Sequence, residues 1–225
     1  MKHDWGMTHE LHYPFAAIIL AAGSSTRMGR PKLLLPWRGT TMLGHLLQLW
    51  SDLGTDQVTV VTSANDRPID AELERLEFPL ANRIVNPNPE RGMFSSIHCA
   101  AKWQGWKPGI SHWAVVLGDQ PHLQQGTLQK LVSFAQSRPN NICQPARAGK
   151  PKHPVFLPSQ VFREVANSRA ETLKIFLTAA SARIELLELD DAGLDLDIDY
   201  PKDYERALKL CPLMSTGPDQ DFKAS

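Results

Sequence analysis

The chain has 225 residues, and its 24 basic and 24 acidic side chains cancel. That length supports one substantial core, and the charge balance excludes the broad single-sign field that nucleic acid, a membrane surface or a polyanion would require. Cys99, Cys143 and Cys211 are odd in number, far apart and in no Cys-x-x-Cys pair, which argues against a disulfide framework or thiolate zinc site and fits a reducing cytoplasm.

Residues 1–13 read as a flexible terminus, and the loose group His3, His9 and His12 as part of it rather than as a metal site. The apolar run from Phe15 to Ala22 is far too short to cross a bilayer and lacks a basic leader flank, so Phe15 to Ala21 is expected as a buried strand. A loop from Gly23 to Lys32 follows. Thr41 to Trp50 has helical spacing with Thr41 placed as a cap and Gly54 as a stop. Next come a strand at Gln57 to Thr62, a helix at Ile69 to Leu76 and a short strand at Arg83 to Val85. After the breaker-rich stretch from Asn86 to Gly92, a helix is expected over Met93 to Trp103.

His112 to Leu117 is a strong strand that ends at Gly118-Asp119-Gln120-Pro121, and Thr127 to Gln136 is an amphipathic helix. The second half is less regular, with extended segments at Asn141 to Pro145 and Pro154 to Leu157 and helices near Gln160 to Ala166 and Glu171 to Ala180. Arg183 to Leu189 is a last strand candidate, Asp190 to Asp203 holds six aspartates, and Tyr204 to Leu210 is a closing helix. Alternation of this kind implies an α/β fold: a mostly parallel sheet covered by helices, in a single domain over residues 14–211. Residues 212–225 are expected to be a flexible tail.

The candidate chemistry lies where loops leave strands, since ligands of open α/β sheets gather outside the strands' C-terminal ends. The loop Ala21-Ala-Gly-Ser-Ser-Thr-Arg-Met-Gly-Arg-Pro-Lys32 couples small residues to Arg27, Arg30 and Lys32. Glycine lets backbone amides approach an anion and the cations neutralise it, yet composition alone equally permits a solvated turn. The P-loop is excluded, because Gly23 and Gly29 are wrongly spaced and Pro31 blocks an immediate helix; the Gly-x-Gly-x-x-Gly dinucleotide fingerprint is also absent. Asp119 stands just past a strand's C-terminal end, although an isolated Asp there more often caps the turn; the acidic run is partly a solvated segment, and Trp103, Trp106 and Trp113 read as core.

Leu20-Ala-Ala-Gly-Ser-Ser-Thr-Arg-Met-Gly-Arg-Pro-Lys32 resembles the signature loop of the MobA-like nucleotidyltransferases, which include molybdenum cofactor cytidylyl- and guanylyltransferases. The likeness continues in the family's order through Leu33 to Pro36, Arg91 to Ile97, Leu117 to Pro121, His153 to Val155 and Asp197 to Asp203. It implies a three-layer Rossmann-like fold with helices on both faces. It further implies an Mg²⁺-dependent cytoplasmic enzyme that transfers a nucleoside monophosphate to a phosphorylated small-molecule acceptor and releases pyrophosphate. By the resemblance, Leu20, Ala21, Ala22, Gly23, Ser24 and Ser25 would wrap the triphosphate, Arg27 and Lys32 would meet its oxygens, and Ser95 or Ser96 would lie beside the base or ribose. Asp119 would bind Mg²⁺, approached by Asp197 or Asp199.

The motifs Leu117-Gly-Asp-Gln-Pro121 and His153-Pro154 favour CTP over GTP. The acceptor, molybdopterin in the closest branch, is expected less directly, because Lys152-His153-Pro154 replaces Gly-His-Pro and Asn167 to Leu177 replaces a Gly-Asp-x-Gly-Ala-Arg element. A sugar or polyol phosphate acceptor, or a non-catalytic carrier that delivers to a molybdoenzyme, are the alternatives.

Overall fold

The computed structural model describes residues 12–23 and 26–211; Ser24, Ser25, His3, His9, most of the N-terminal segment and the whole of 212–225 lie outside the described residues. In chain order the elements are β1 (Phe15–Leu20), a small hairpin of β2 (Pro36–Trp37) and β3 (Thr40–Thr41), α1 (Met42–Asp52), β4 (Gln57–Ser63), α2 (Arg67–Arg75), β5 (Arg83–Asn86), α3 (Met93–Lys102), β6 (His112–Leu117) and α4 (Gln125–Gln136). The second half adds β7 (Ile142–Arg147), β8 (Lys150–Pro151), β9 (Val155–Pro158), α5 (Ser159–Val165), α6 (Leu173–Ala179), β10 (Ile184–Glu188) and α7 (Pro201–Leu210).

The main sheet runs β10-β7-β9-β6-β1-β4-β5, with β8 folded back on β7. β1 pairs in parallel with both β4 and β6, as do β4 with β5 and β7 with β10. β9 runs antiparallel between β6 and β7. The chain therefore steps outward from β1 through β4 to β5 and then crosses back to place β6 on the other side of β1. That reversal opens a crevice at the C-terminal ends of β1 and β6, between loops that leave the sheet in opposite directions.

β1 is buried on both faces, which is why it reads as a continuous apolar run rather than an alternating one. Phe15, Ala17 and Ile19 pack with Val60, Ala114 and Val116 against Leu46 and Trp50 of α1, Ile69 and Leu73 of α2, and Leu128 and Leu131 of α4. Ala16 and Ile18 face the other way, toward Phe94 and Ile97 of α3, Phe162 of α5 and Phe176 of α6. The result is a three-layer α/β/α arrangement with helices on both faces. A third cluster, Trp37, Met42, Leu196, Ile198 and Ala207, seats the hairpin and α7 beside the crevice. Thr41 caps α1, its hydroxyl accepting from the Gly44 amide at 3.0 Å. Trp113 is in the core, stacked on Phe162, and the half-buried Trp103 and Trp106 pack against it, Trp106 making edge contacts with both other tryptophans.

His112 gives this core a pH dependence. It is fully buried on β6, its Nε2 lies 3.2 Å from the Asn141 carbonyl oxygen, and its Nδ1 is buried with no partner among the described residues. Burial pushes its pKa from the usual 6.5 down to about 4. The unfolded chain then takes up a proton near pH 6.5 that the native state refuses until about 4, so this stability is complete above 6.5 and is lost as pH falls toward 4. Denaturant titrations should show a decline of roughly 3 kcal/mol across that window, flattened in His112→Asn.

Candidate active site

The crevice at the end of β1 is a cleft of about 880 Å³ lined by residues of four successive strand-end loops. The β1 loop supplies Leu20, Ala21, Ala22, Gly23, Arg30 and Lys32; β4 supplies Ser63 and Asp66; the segment after β5 supplies Glu90, Gly92, Met93 and Ser96; and β6 supplies Gly118 and Asp119. Gly92, at φ 86°, holds a conformation that a side chain would strain, and it opens α3 without a side-chain cap. The first-turn amides of α3 thus begin beside the cleft.

The charged groups converge at one end of this space. Pro31 holds the chain out of a continuous α-helix, leaving a short 3₁₀ turn over Lys32–Leu34 that projects Lys32 inward while Leu33 anchors in the core. The Lys32 ammonium donates to Asp119 Oδ2 at 2.7 Å and to Asp199 Oδ1 at 3.2 Å. Arg27 Nη1 donates to Asp199 Oδ2 at 2.6 Å. Two cations of the β1 loop are therefore tied to one carboxylate from β6 and one from the segment before α7. A main-chain bond from the Ile198 amide to the Asp119 carbonyl oxygen, 3.2 Å, fixes that segment against the β6 turn.

Asp119 and Asp197 show where a cation would fit. The second carboxylate oxygen of Asp119, Oδ1, is buried with no hydrogen-bond partner among the described residues. A buried anionic oxygen without a donor is costly, and a bound cation would satisfy it. Asp197 accepts from Gln120 Nε2 at 2.9 Å, yet its pKa is raised, first by desolvation and then by the negative charge of Asp119. Asp199 adds to that repulsion, and Lys32 and the Gln120 bond only partly offset it. Among the described residues no group of three or more His, Cys, Asp or Glu side chains is gathered as a ready metal cage.

The acidic run is less solvated than its composition implies. Asp191 is buried, accepting from Thr127 Oγ1 at 2.7 Å and the Gly193 amide at 2.8 Å, and Asp203 caps α7 by accepting from the Tyr200 amide at 2.9 Å. His153 is also structural: burial lowers its pKa, and its ring lies beside the Val115 backbone.

Of the residues singled out from the sequence, Leu20, Ala21, Ala22, Gly23, Lys32, Ser96 and Asp119 line the cleft together. Arg27, Asp197 and Asp199 stand at its rim through the bonds just described. Ser95 does not face it; its hydroxyl donates to the Gly92 carbonyl at 2.7 Å and accepts from Asn86 Nδ2 at 2.7 Å, and it lines a separate cleft. Ser63, Asp66 and Gln120 were not singled out. Ser63 and Asp66 follow β4 as Asp119 follows β6, so the strand-end rule that finds Asp119 would have found them.

An exposed pair such as Arg27 with Asp199, 60% and 38% exposed, contributes under about 1 kcal/mol to stability. Arg27→Ala should therefore leave the melting temperature nearly unchanged while weakening triphosphate binding by about tenfold, read by calorimetric titration.

Residues 17–184 match the MobA-like NTP transferase domain. The chain belongs to this family. It is 27% identical to molybdenum cofactor cytidylyltransferase of Escherichia coli over 195 residues, 83% of this chain and 92% of the relative. It is equally 27% identical to nicotine blue oxidoreductase of Paenarthrobacter nicotinovorans over 201 residues, 85% of this chain and 95% of the relative. Among solved structures, Rv0371c of Mycobacterium tuberculosis H37Rv in complex with manganese superposes with a TM-score of 0.64 at 25% identity, covering 87% of this chain and 98% of that one. No helix among the described residues is long and apolar enough to cross a membrane.

Proposed function

We propose that this chain transfers a cytidylyl group from CTP to a phosphorylated small-molecule acceptor, of the molybdopterin class, and releases pyrophosphate. The observation that carries the reading is the Lys32 ammonium, held between Asp119 and Asp199 in a cleft whose lining includes Gly23, Gly29, Gly92 and Gly118. Family membership and the likeness to the cytidylyltransferase support the reaction class and the choice of CTP. The manganese complex of Rv0371c supports divalent metal use.

In the reaction a phosphate oxygen of the acceptor forms a bond to the α-phosphorus, and the bond from that phosphorus to the α,β-bridging oxygen breaks, so pyrophosphate carries the electron pair away. The acceptor phosphate is already ionised, so no side chain must act as base. The task of the protein is to hold crowded anions in line and neutralise them. Lys32 and Arg27 exchange their carboxylate partners for triphosphate oxygens, and the glycines of the lining, Gly23, Gly29, Gly92 and Gly118, let the nucleotide approach the main chain closely. Asp119 with Asp197 or Asp199 would hold Mg²⁺, which supplies positive charge to the phosphate oxygens as negative charge builds.

The likeness to an oxidoreductase sets the form of the test. A thermal-shift screen of CTP, GTP, ATP, UTP, NADH and NADPH, with and without Mg²⁺, should give the largest stabilisation with CTP and Mg²⁺, because a ligand of the native state raises apparent stability. Pyrophosphate release is then assayed with molybdopterin and with sugar and polyol phosphates. Binding of CTP without turnover on any acceptor would instead support a carrier, and preferential stabilisation by a nicotinamide nucleotide would overturn the transferase reading.

A further inference from the structure

A second cleft, of about 530 Å³, lies on the other flank of α3. Arg91 comes to it from the segment before α3, His98 and Lys102 from α3 itself, and Ser168 and Arg169 from the segment between α5 and α6. The transfer reading uses none of these groups.

Its electrostatics differ from those of the first cleft. There Lys32 and Arg27 are each tied to a carboxylate. Here the side chains of Arg91, Lys102 and Arg169 form no hydrogen bond or ion pair with any described residue, and the one acidic residue on the lining is Glu171. Three cations against one carboxylate leave a surplus of two positive charges around a concave space. Unneutralised like charges repel one another, so their convergence costs stability that a bound anion would restore. His98 reports the same field from within the wall. Its pKa is lowered first by burial and then by Lys102, with Arg91 contributing and the backbone at Val165 and Ser168 opposing, and its Nε2 is buried without a hydrogen-bond partner among the described residues.

The turn between the two clefts is built rather than loose. Asn86, 1% exposed, donates from Nδ2 to Ser95 Oγ at 2.7 Å and to Ser96 Oγ at 3.0 Å; Ser95 faces the second cleft and Ser96 the first. Its Oδ1 accepts from the Asn88 amide at 2.9 Å, which fixes the strand-end loop that brings Arg91 into place.

We infer that this second cleft is an anion-binding site for the phosphate group of a small molecule, separate from the first cleft. A surplus of two charges matches a phosphate monoester better than a single carboxylate, and two arginines offer the forked donors that phosphate oxygens accept. The inference stands independently of the transfer reaction, because it uses no residue of the first cleft.

The test uses inorganic pyrophosphate as probe in calorimetric titrations of the full chain. Lys32→Ala removes the central cation of the first cleft and should retain about one equivalent of pyrophosphate binding. Adding Arg91→Gln and Arg169→Gln should weaken that remaining binding by at least tenfold, whereas Arg91→Lys with Arg169→Lys should preserve most of it. All of these arginines are exposed, so the melting temperatures of these variants should stay close to that of the Lys32→Ala parent and make loss of fold a separable outcome. No pyrophosphate binding in Lys32→Ala, or equal binding with and without the two glutamine substitutions, would overturn the inference.

Discussion

Asp119→Asn is expected to lower the rate of pyrophosphate release by about a thousandfold at saturating CTP, and to abolish its response to added Mg²⁺. The substitution is nearly isosteric and keeps an oxygen for the Lys32 ammonium to meet, and Lys32 keeps its bond to Asp199 at 3.2 Å. The fold should therefore survive with a loss of about 1 kcal/mol or less. What disappears is the negative charge on the buried Oδ1, the one oxygen of the pair with no hydrogen-bond partner among the described residues. Two measurements separate this from the blander role of a turn residue. If Asp119 only braced the Gly118-Asp-Gln-Pro turn, the substitution would lower the melting temperature and spare kcat; a metal ligand gives the reverse. Because Asp119 also raises the pKa of Asp197, its neutralisation should relax that carboxylate toward its ordinary value.

The same site shows which parts of a structure a sequence exposes. β1 is legible because a strand buried on both faces becomes an unbroken apolar run, and β4 and β6 because β-branched and apolar residues run up to Ser63 and Gly118, where the pattern stops. β9 is not legible in that way: it has four residues, starts after His153-Pro154 and runs antiparallel between two parallel neighbours, a placement set by contacts distant in sequence. The β2–β3 hairpin has two residues per strand, too few for any periodicity. Glu171 to Ala180 reads as one helix, but the turn before Leu173 is irregular and Thr172 caps the helix by accepting from the Ile175 amide.

Within the site, Asp119 could be singled out because it sits where a recognisable strand stops, and Lys32 because it closes the small-residue loop that follows β1. Gln120 could not, because its significance depends on Asp197, 77 positions later, arriving at 2.9 Å. Ser95 and Ser96 are adjacent and chemically alike, and only the seating of α3 sends one to each cleft. Asp191 reads as one charge in a solvated run and is in fact a buried acceptor, since the identity of its donor, Thr127, lies on a different element.

Gly118→Ala is expected to be the most damaging single-methyl change near the site, destabilising by about 1–3 kcal/mol and lowering turnover by about a hundredfold. A Cβ built on Gly118 would stand 2.6 Å from the backbone oxygen of Leu20 and 2.9 Å from Leu33 Cδ2. The first of these cannot rotate away, because Leu20 ends β1 and is held in register opposite Leu117 of β6. The two strand ends must therefore spread, at the crevice from which Asp119 and the β1 loop reach toward each other. Gly118 has an ordinary negative φ, so backbone conformation is not the reason glycine is required; the reason is the close approach of the neighbouring main chain. This separates its effect from that of Gly126→Ala, which meets open space at the start of α4 and should be tolerated or slightly stabilising. Comparing the two by denaturant titration and by pyrophosphate release tests whether the spacing of β1 and β6 governs the Lys32 to Asp119 distance. Loss of stability without loss of turnover in Gly118→Ala would show that the 2.7 Å contact does not depend on that spacing.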